Sequence, residues 1–279
     1  MTTKEFESQI ELTNNGNLSI FFLGTGNAFQ KSFYQTNLFV TKGDTSLLID
    51  CGTLCPYVLE KEYNTKLASI KNLILTHPHA DHVGGVEEIA LKSYYVSKSK
   101  INIAIPKKFK KKLWDETLRG GIQFSENGKL SFSDYFTELP ITKILSNPFE
   151  MYETNFGTLN IKMFRTRHVT TKQNSFRNSQ FSYGLIFDDK VLFTSDTQYN
   201  PGQLKFLLER YTNIEHIFHD CDVSGFSSGV HAAYEQLKTL PADVRKIMSL
   251  CHYNEKVNTV DAVADGFYGF VQRGIYYNF

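Results

Sequence analysis

Six residues constrain this chain more than any others: His-Pro-His-Ala-Asp-His, 77 to 82, directly after the apolar run KNLILT. Such a run reads as a strand that gives way to a loop, and loops held by a rigid sheet are where sites are usually built. Four of the six side chains, His77, His79, Asp81 and His82, are types that bind metals or move protons. Strand alternation sends His77 and His79 the same way, and the turn that follows brings Asp81 and His82 to a second position nearby. One short segment can thus ligate two metals.

Around it the chain alternates short β-rich runs with helical patterns. NLSIFFLG (17–24), TNLFVTK (36–42), TSLLID (45–50), TLNIKMFRT (158–166), FSYGLIF (181–187), KVLFTS (190–195), IEHIFH (214–219) and RKIMSLC (245–251) read as strands bounded by Gly, Asn and Asp turns. KGD at 42–44 and DDK at 188–190 are short enough for hairpins. Helical patterns fall at CPYVLEKEY, GVEEIALKSY, KKFKKKLWDETL, GQLKFLLERY and VHAAYEQLKTL. Strands in both halves, each set followed by helices, predict two sheets face to face with helices outside, an α/β class. No linker-like stretch divides the 279 residues, so a single domain over 1–279 is expected.

Composition excludes several functions. Thirty basic against 29 acidic residues leave a net charge of +1, which does not suit an extended nucleic-acid surface. Lys107, Lys108, Lys111 and Lys112 of PKKFKKKLW fall on one side of a helix whose other side carries Phe109 and Leu113, as on an ordinary solvated helix. The N-terminus lacks a basic start and apolar run, and no stretch of 18 apolar residues occurs, so neither export nor membrane insertion is expected and the cytoplasm is the expected location. Cys51, Cys55, Cys221 and Cys251 lack paired CxxC spacing and read as buried thiols.

HPHADH resembles the HxHxDH signature of the metallo-β-lactamase superfamily, and the likeness extends over nearly the whole chain. FLGTGNA (22–28) is similar to the opening strand and glycine turn of the ribonuclease Z-like branch, and LLIDCG (47–52) to a strand ending in a structural aspartate, Asp50. His168 in TRHVT, Asp196 in FTSDT and His252 in LCHYN match the remaining motifs in order. The resemblance implies an αββα sandwich. It assigns His77, His79 and His168 to one metal and Asp81, His82 and His252 to the other, with Asp196 shared. Iron is the favoured pair of divalent ions, with Zn or Mn as alternatives, since no thiolate selects among them. Two metals sharing a carboxylate can activate a water for attack near neutral pH. In a hydrolytic reading the catalytic candidates are Asp81, beside its ligand role, and His231, which matches the histidine that family phosphodiesterases use to protonate the leaving oxygen.

The chain also departs from that pattern. Only 27 residues separate His168 from Asp196, leaving no room for the arm of transfer-RNA processing relatives. No arginine occupies YQTNLFV, and no carboxylate stands in VLFTS before Asp196. These absences favour, as the leading expectation, a diiron oxygen-binding protein that signals to a partner such as a chemoreceptor, a likeness carried by YQTN, HDC with GVHAAYEQLKTLP, and DGFYGF. The alternative is a metal-dependent phosphodiesterase of a small phosphodiester or cyclic nucleotide. The ligand is accordingly dioxygen or a small phosphodiester, and a homodimer is compatible with either. FHDCD (218–222) gathers further ligand types, but the seven ligands are complete without it, and Asp220 is expected to orient a ligating or proton-donating histidine from behind.

Overall fold

The computed structural model describes the chain apart from residues 127, 171–175 and 227 and the side chain of Arg177. Among the described residues, two mixed sheets of eight strands carry the fold. The first runs Thr2–Glu5, Ile275–Asn278, Ser19–Gly24, Asn37–Lys42, Thr45–Ile49, Asn72–Ile74, Ile101–Ile103, Phe136–Glu138. The second runs Thr142–Leu145, Met151–Phe156, Leu159–Arg165, Tyr183–Phe187, Val191–Phe193, His216–Asp220, Met248–Cys251, Gly269–Phe270.

Period-2 alternation explains why these runs are apolar on both faces. Phe22 crosses to the opposite sheet, its ring centroid 5.0 Å from that of Phe218 and 6.3 Å from that of Phe193. Its neighbour Phe21 turns outward, with its ring 4.9 Å from that of Tyr63. On the second sheet, Leu192 and Ile217 pack outward with Leu204 and Leu207 of the helix Pro201–Arg210. This is the predicted arrangement of two facing sheets with helices outside.

Both predicted hairpins are present. Lys42 pairs with Thr45, and Phe187 with Val191. Asp188 and Asp189 adopt φ of 51° and 57°, the left-handed region that tight hairpin turns require and that Asp tolerates better than most residues. The helix expected at CPYVLEKEY forms as Cys55–Lys61, and the lysine-rich helix begins at Lys107 with Phe109 and Leu113 fully buried.

One helix differs from expectation. The pattern from 230 to 240 yields only the turn Tyr234–Leu237, because Asp222 N bonds Ala232 O at 2.8 Å and Tyr234 N bonds Asp222 O at 2.9 Å. Residues before Tyr234 are therefore spent on a bridge to the end of the strand His216–Asp220, and His231 lies on that irregular segment rather than at a helix start. No helix among the described residues is long and apolar enough to cross a membrane.

Candidate metal centre

The two sheets place the site by their chain direction. Thr45–Ile49 runs parallel to Asn72–Ile74, and Val191–Phe193, His216–Asp220 and Met248–Cys251 run parallel to one another. Parallel neighbours end at the same edge, which is where α/β sheets build their sites. Asp50, His77, Asp196, Asp220 and His252 all stand at or just beyond those ends. Asp50, Ser195 and His252 have φ of 63°, 49° and 63°, a conformation that costs a non-glycine residue on the order of 1 kcal/mol. The fold enforces it through Asp50 N to Ile74 O at 2.9 Å, His252 N to Thr25 O at 2.7 Å and Ser195 Oγ to Thr76 Oγ1 at 2.9 Å.

The predicted ligands come together as two clusters that share Asp196. His77, His79 and His168 form one with Asp196; Asp81, His82 and His252 form the other. His77 Nε2 and His168 Nε2 lie 3.0 and 3.1 Å from His79 Nδ1. His82 Nε2 is 3.2 Å from Asp81 Oδ2 and 3.4 Å from Asp196 Oδ1. His252 Nε2 is 3.2 Å from Asp196 Oδ2 and 3.5 Å from Asp81 Oδ2.

Hydrogen bonds behind the rings decide which nitrogen faces inward. His168 Nδ1 donates to the Val230 carbonyl at 2.8 Å, and His82 Nδ1 donates to Asp50 Oδ2 at 2.7 Å. Thr76 Oγ1 spends its only proton on Asp50 Oδ2 at 2.7 Å, so His77 Nδ1, 3.1 Å away, must donate to it. In the neutral rings, His77, His82 and His168 therefore aim Nε2 lone pairs at one another and at the carboxylates. His82 Nε2 is buried and makes no well-formed hydrogen bond, its nearest neighbours being the Asp81 and Asp196 carboxylates at 3.2 and 3.4 Å. Converging lone pairs and an orphaned buried nitrogen fit cations in both clusters, and imidazole with carboxylate suits divalent transition metals.

The electrostatics agree. Burial holds His77 well below the usual histidine range, lowers His79, and brings His168 down to about 4, so these rings are neutral and ready to ligate. Burial also opposes the charge on His82, but Asp196, Asp81 and Asp50 outweigh it and raise its pKa well above the ordinary value. Burial likewise opposes ionisation of Asp81 and Asp196, yet the surrounding histidines keep both ionised far below the usual carboxylate range. Without metal the second cluster thus retains a proton on His82 where a cation would sit.

FHDCD divides by strand alternation. Asp220 points into the site: Oδ2 accepts from His231 Nδ1 at 2.8 Å and from Thr197 N at 2.9 Å, and Oδ1 lies 3.5 Å from His252 Nδ1. His219 points the other way, among Leu192, Leu204 and Leu207. Cys221 is buried, and Asp222 Oδ1 accepts from Ser224 N. Within FHDCD the contact to a site histidine falls to Asp220 alone, which holds His231 through Oδ2, while its buried Oδ1 makes no hydrogen bond. The His231 ring stacks on His252 at 4.7 Å and lies 4.9 Å from His168. Burial favours its neutral form, but the charge and hydrogen bond of Asp220 prevail and push it up to about 9.

Asp50, read from the sequence only as a structural aspartate, accepts from His82 Nδ1, with Thr76 N donating to its other oxygen at 2.7 Å. Two further supports lie inside quoted segments, YQTN and LLIDCG, but nothing in the sequence marked their role. Asn37 accepts from Gly52 N at 2.6 Å and donates to Asp81 O at 3.1 Å. A Cβ at Gly52 would stand 2.0 Å from Asp81 O, so only glycine lets the Asp50 loop close against the turn that carries Asp81 and His82.

Comparison with known proteins places this site in a family. A family profile described as "Anti-Pycsar protein Apyc1" matches residues 18–277. The chain belongs to the Apyc1 family. Apyc1 of Paenibacillus xerothermodurans is 32% identical over 240 residues, 86% of this chain and 89% of that protein. Apyc1 of Bacillus phage BSP38 is 34% identical over 245 residues, 85% and 90% of the two chains. Among solved structures, the metallo-β-lactamase fold protein YhfI of Bacillus subtilis superposes with a TM-score of 0.66 at 14% identity, covering 94% of this chain and 100% of that one. A diphosphatase of the PhnP family gives 0.62 at 13% identity, covering 94% and 98%. These likenesses establish the metallo-β-lactamase fold. Membership of the Apyc1 family corrects the leading expectation of a chemotaxis diiron sensor, and iron, oxygen binding and chemotaxis lose their support.

Proposed function

We propose that this protein is a two-metal phosphodiesterase of a small phosphodiester, with cyclic nucleotides as the substrate class. The observation that carries the reading is the Asp220–His231 pair: an imidazole, 21% exposed, whose Nδ1 stands 2.8 Å from a buried carboxylate and whose ring lies against a histidine of each ligand cluster. A site that only binds a small gas has no use for an imidazole held at its rim by a carboxylate, the arrangement of a proton donor. Membership of a family named for opposing Pycsar agrees with a nucleotide substrate.

His77, His79 and His168 would hold one divalent cation and Asp81, His82 and His252 the other, with Asp196 between them. Such a pair supplies Lewis acidity toward phosphoryl oxygens and a water activated near neutral pH. The chain's own groups do the rest. Asp81 and Asp196 remain ionised and hold the pocket acidic, while Asp50 and the Val230 carbonyl fix the rings of His82 and His168. His231 Nδ1–H is committed to Asp220, which leaves Nε2–H free to protonate the departing oxygen. A ribose alkoxide is a poor leaving group and needs that proton; a nitrophenolate does not.

The test is hydrolysis of cyclic mononucleotides by Zn- or Mn-loaded protein, with linear nucleotide measured by chromatography. Turnover is expected, with His231→Ala slowing it by about 10²–10⁴-fold and slowing a nitrophenyl phosphodiester far less. Protein carrying two metals that leaves every cyclic nucleotide intact would refute the reading.

A further inference from the structure

The segment that carries His231 is irregular, so something other than helix geometry must keep the ring over the site. Gln198, two residues beyond Asp196, reaches it. Its Nε2 lies 2.6 Å from Gly229 O, 2.8 Å from His168 O and 3.0 Å from Thr170 Oγ1. The amide is buried, and its own backbone is anchored by Gln198 N to Arg167 O at 2.7 Å. Next to Gly229, the Val230 carbonyl accepts from His168 Nδ1. Residues 229–230 are therefore tied to the His168 strand end twice, once through the ligand's ring and once through Gln198.

We infer that Gln198 is a positioning residue that clamps the 229–231 segment to the His168 loop and so sets where His231 stands. The inference rests on the phosphodiesterase reading for its kinetic consequence but not for its structural one. An amide has two N–H donors, and two backbone carbonyls from separate segments take them, with Thr170 Oγ1 sharing. The metal ligands do not depend on this link, because His168 keeps its Val230 bond and its strand.

Gln198→Glu keeps the volume and removes both donors; Gln198→Ala removes the side chain. Both variants are expected to bind two metals per chain by elemental analysis and to keep their fold by circular dichroism. Hydrogen exchange at the amides of 229–231 is expected to accelerate at least tenfold relative to wild type, while exchange at 77–82 stays unchanged. With metal-loaded enzyme, both variants are expected to lose turnover of a cyclic nucleotide about tenfold or more while keeping nitrophenyl phosphodiester hydrolysis within about twofold, as a lost proton donor dictates. In a His231→Ala background the Gln198 substitutions are expected to cost nothing further, because both act on one step.

Unchanged exchange at 229–231, loss of metal, or fully additive kinetic effects would each overturn the inference. Exchange is read without any substrate. Faster exchange in protein that hydrolyses no phosphodiester would uphold the clamp and reject only the proposed function.

Discussion

Replacing Asp220 with Asn tests whether charge, rather than shape, makes His231 a proton donor. The carboxylate accepts from His231 Nδ1 at 2.8 Å and is the main group that raises the ring to about 9 against the opposing effect of burial. Relative to an ordinary histidine near 6.5, that is about 2.5 units, or roughly 3 kcal/mol. With Asn the burial remains and the charge goes, so the ring falls to about 6.5 or lower. At about pH 8 the protonated fraction then drops from roughly nine-tenths to about 3% or less, and turnover of a poor leaving group should fall about 30-fold or more. Near pH 6 the same variant should lose far less than at about pH 8, since more of the ring is then protonated in the variant.

The assay is a pH–rate profile for a cyclic nucleotide, with a nitrophenyl ester as control and metal content checked at each pH. A loss independent of pH, or equal for both substrates, would refute the argument. The same pair contributes to stability in the metal-free protein. A histidine pKa raised on folding gives stability that is fully present below about pH 6.5 and lost as pH rises through about 9, up to roughly 3 kcal/mol. Urea midpoints should follow that slope in wild type, and Asp220→Asn should flatten it.

Asp196→Ala removes the carboxylate common to both clusters, so metal content should fall from two per chain toward zero, measured by elemental analysis after dialysis. Gly52→Ala drives a Cβ to 2.0 Å from Asp81 O; backbone on both sides must shift, costing about 1–3 kcal/mol by denaturant melts and weakening the cluster of Asp81, His82 and His252 more than the other. Because His82 is protonated without metal and must lose that proton to ligate, loading the second cluster should release protons and weaken as pH falls. Calorimetry in buffers of different ionisation enthalpy would show this, and buffer-independent heats would refute the assigned charge on His82.

Much of the centre was legible in order along the chain because metal ligation demands particular atoms. His77, His79, Asp81 and His82 stand in one segment, and His168, Asp196 and His252 could be added by motif. In the structure those seven residues gather as two groups that share Asp196, and the Asp50 and Asp220 carboxylates stand 2.7 and 2.8 Å from His82 Nδ1 and His231 Nδ1. Hairpins at 43–44 and 188–189 were legible because turn chemistry is local. The strands Met151–Phe156 and Ile275–Asn278 were not. The first mixes buried and half-exposed positions without clean alternation, and the second pairs with Ser19–Gly24 and Thr2–Glu5 from the far end of the chain.

The sequence by itself determined the donor set and hence the kind of ion the site can take, because those properties belong to side-chain atoms. Tertiary structure alone decided the rest. Gln198 stands in no motif and Asn37 was read only as part of YQTN, and their amides matter only because distant backbone carbonyls come within reach. His231 reads as the start of a helix, yet backbone bonds between 222 and 232–234 take the place of that helix and turn the ring onto His252 and His168. Its charge, like that of His82, follows from which carboxylates the folded chain sets beside it, and spacing along the sequence does not encode that.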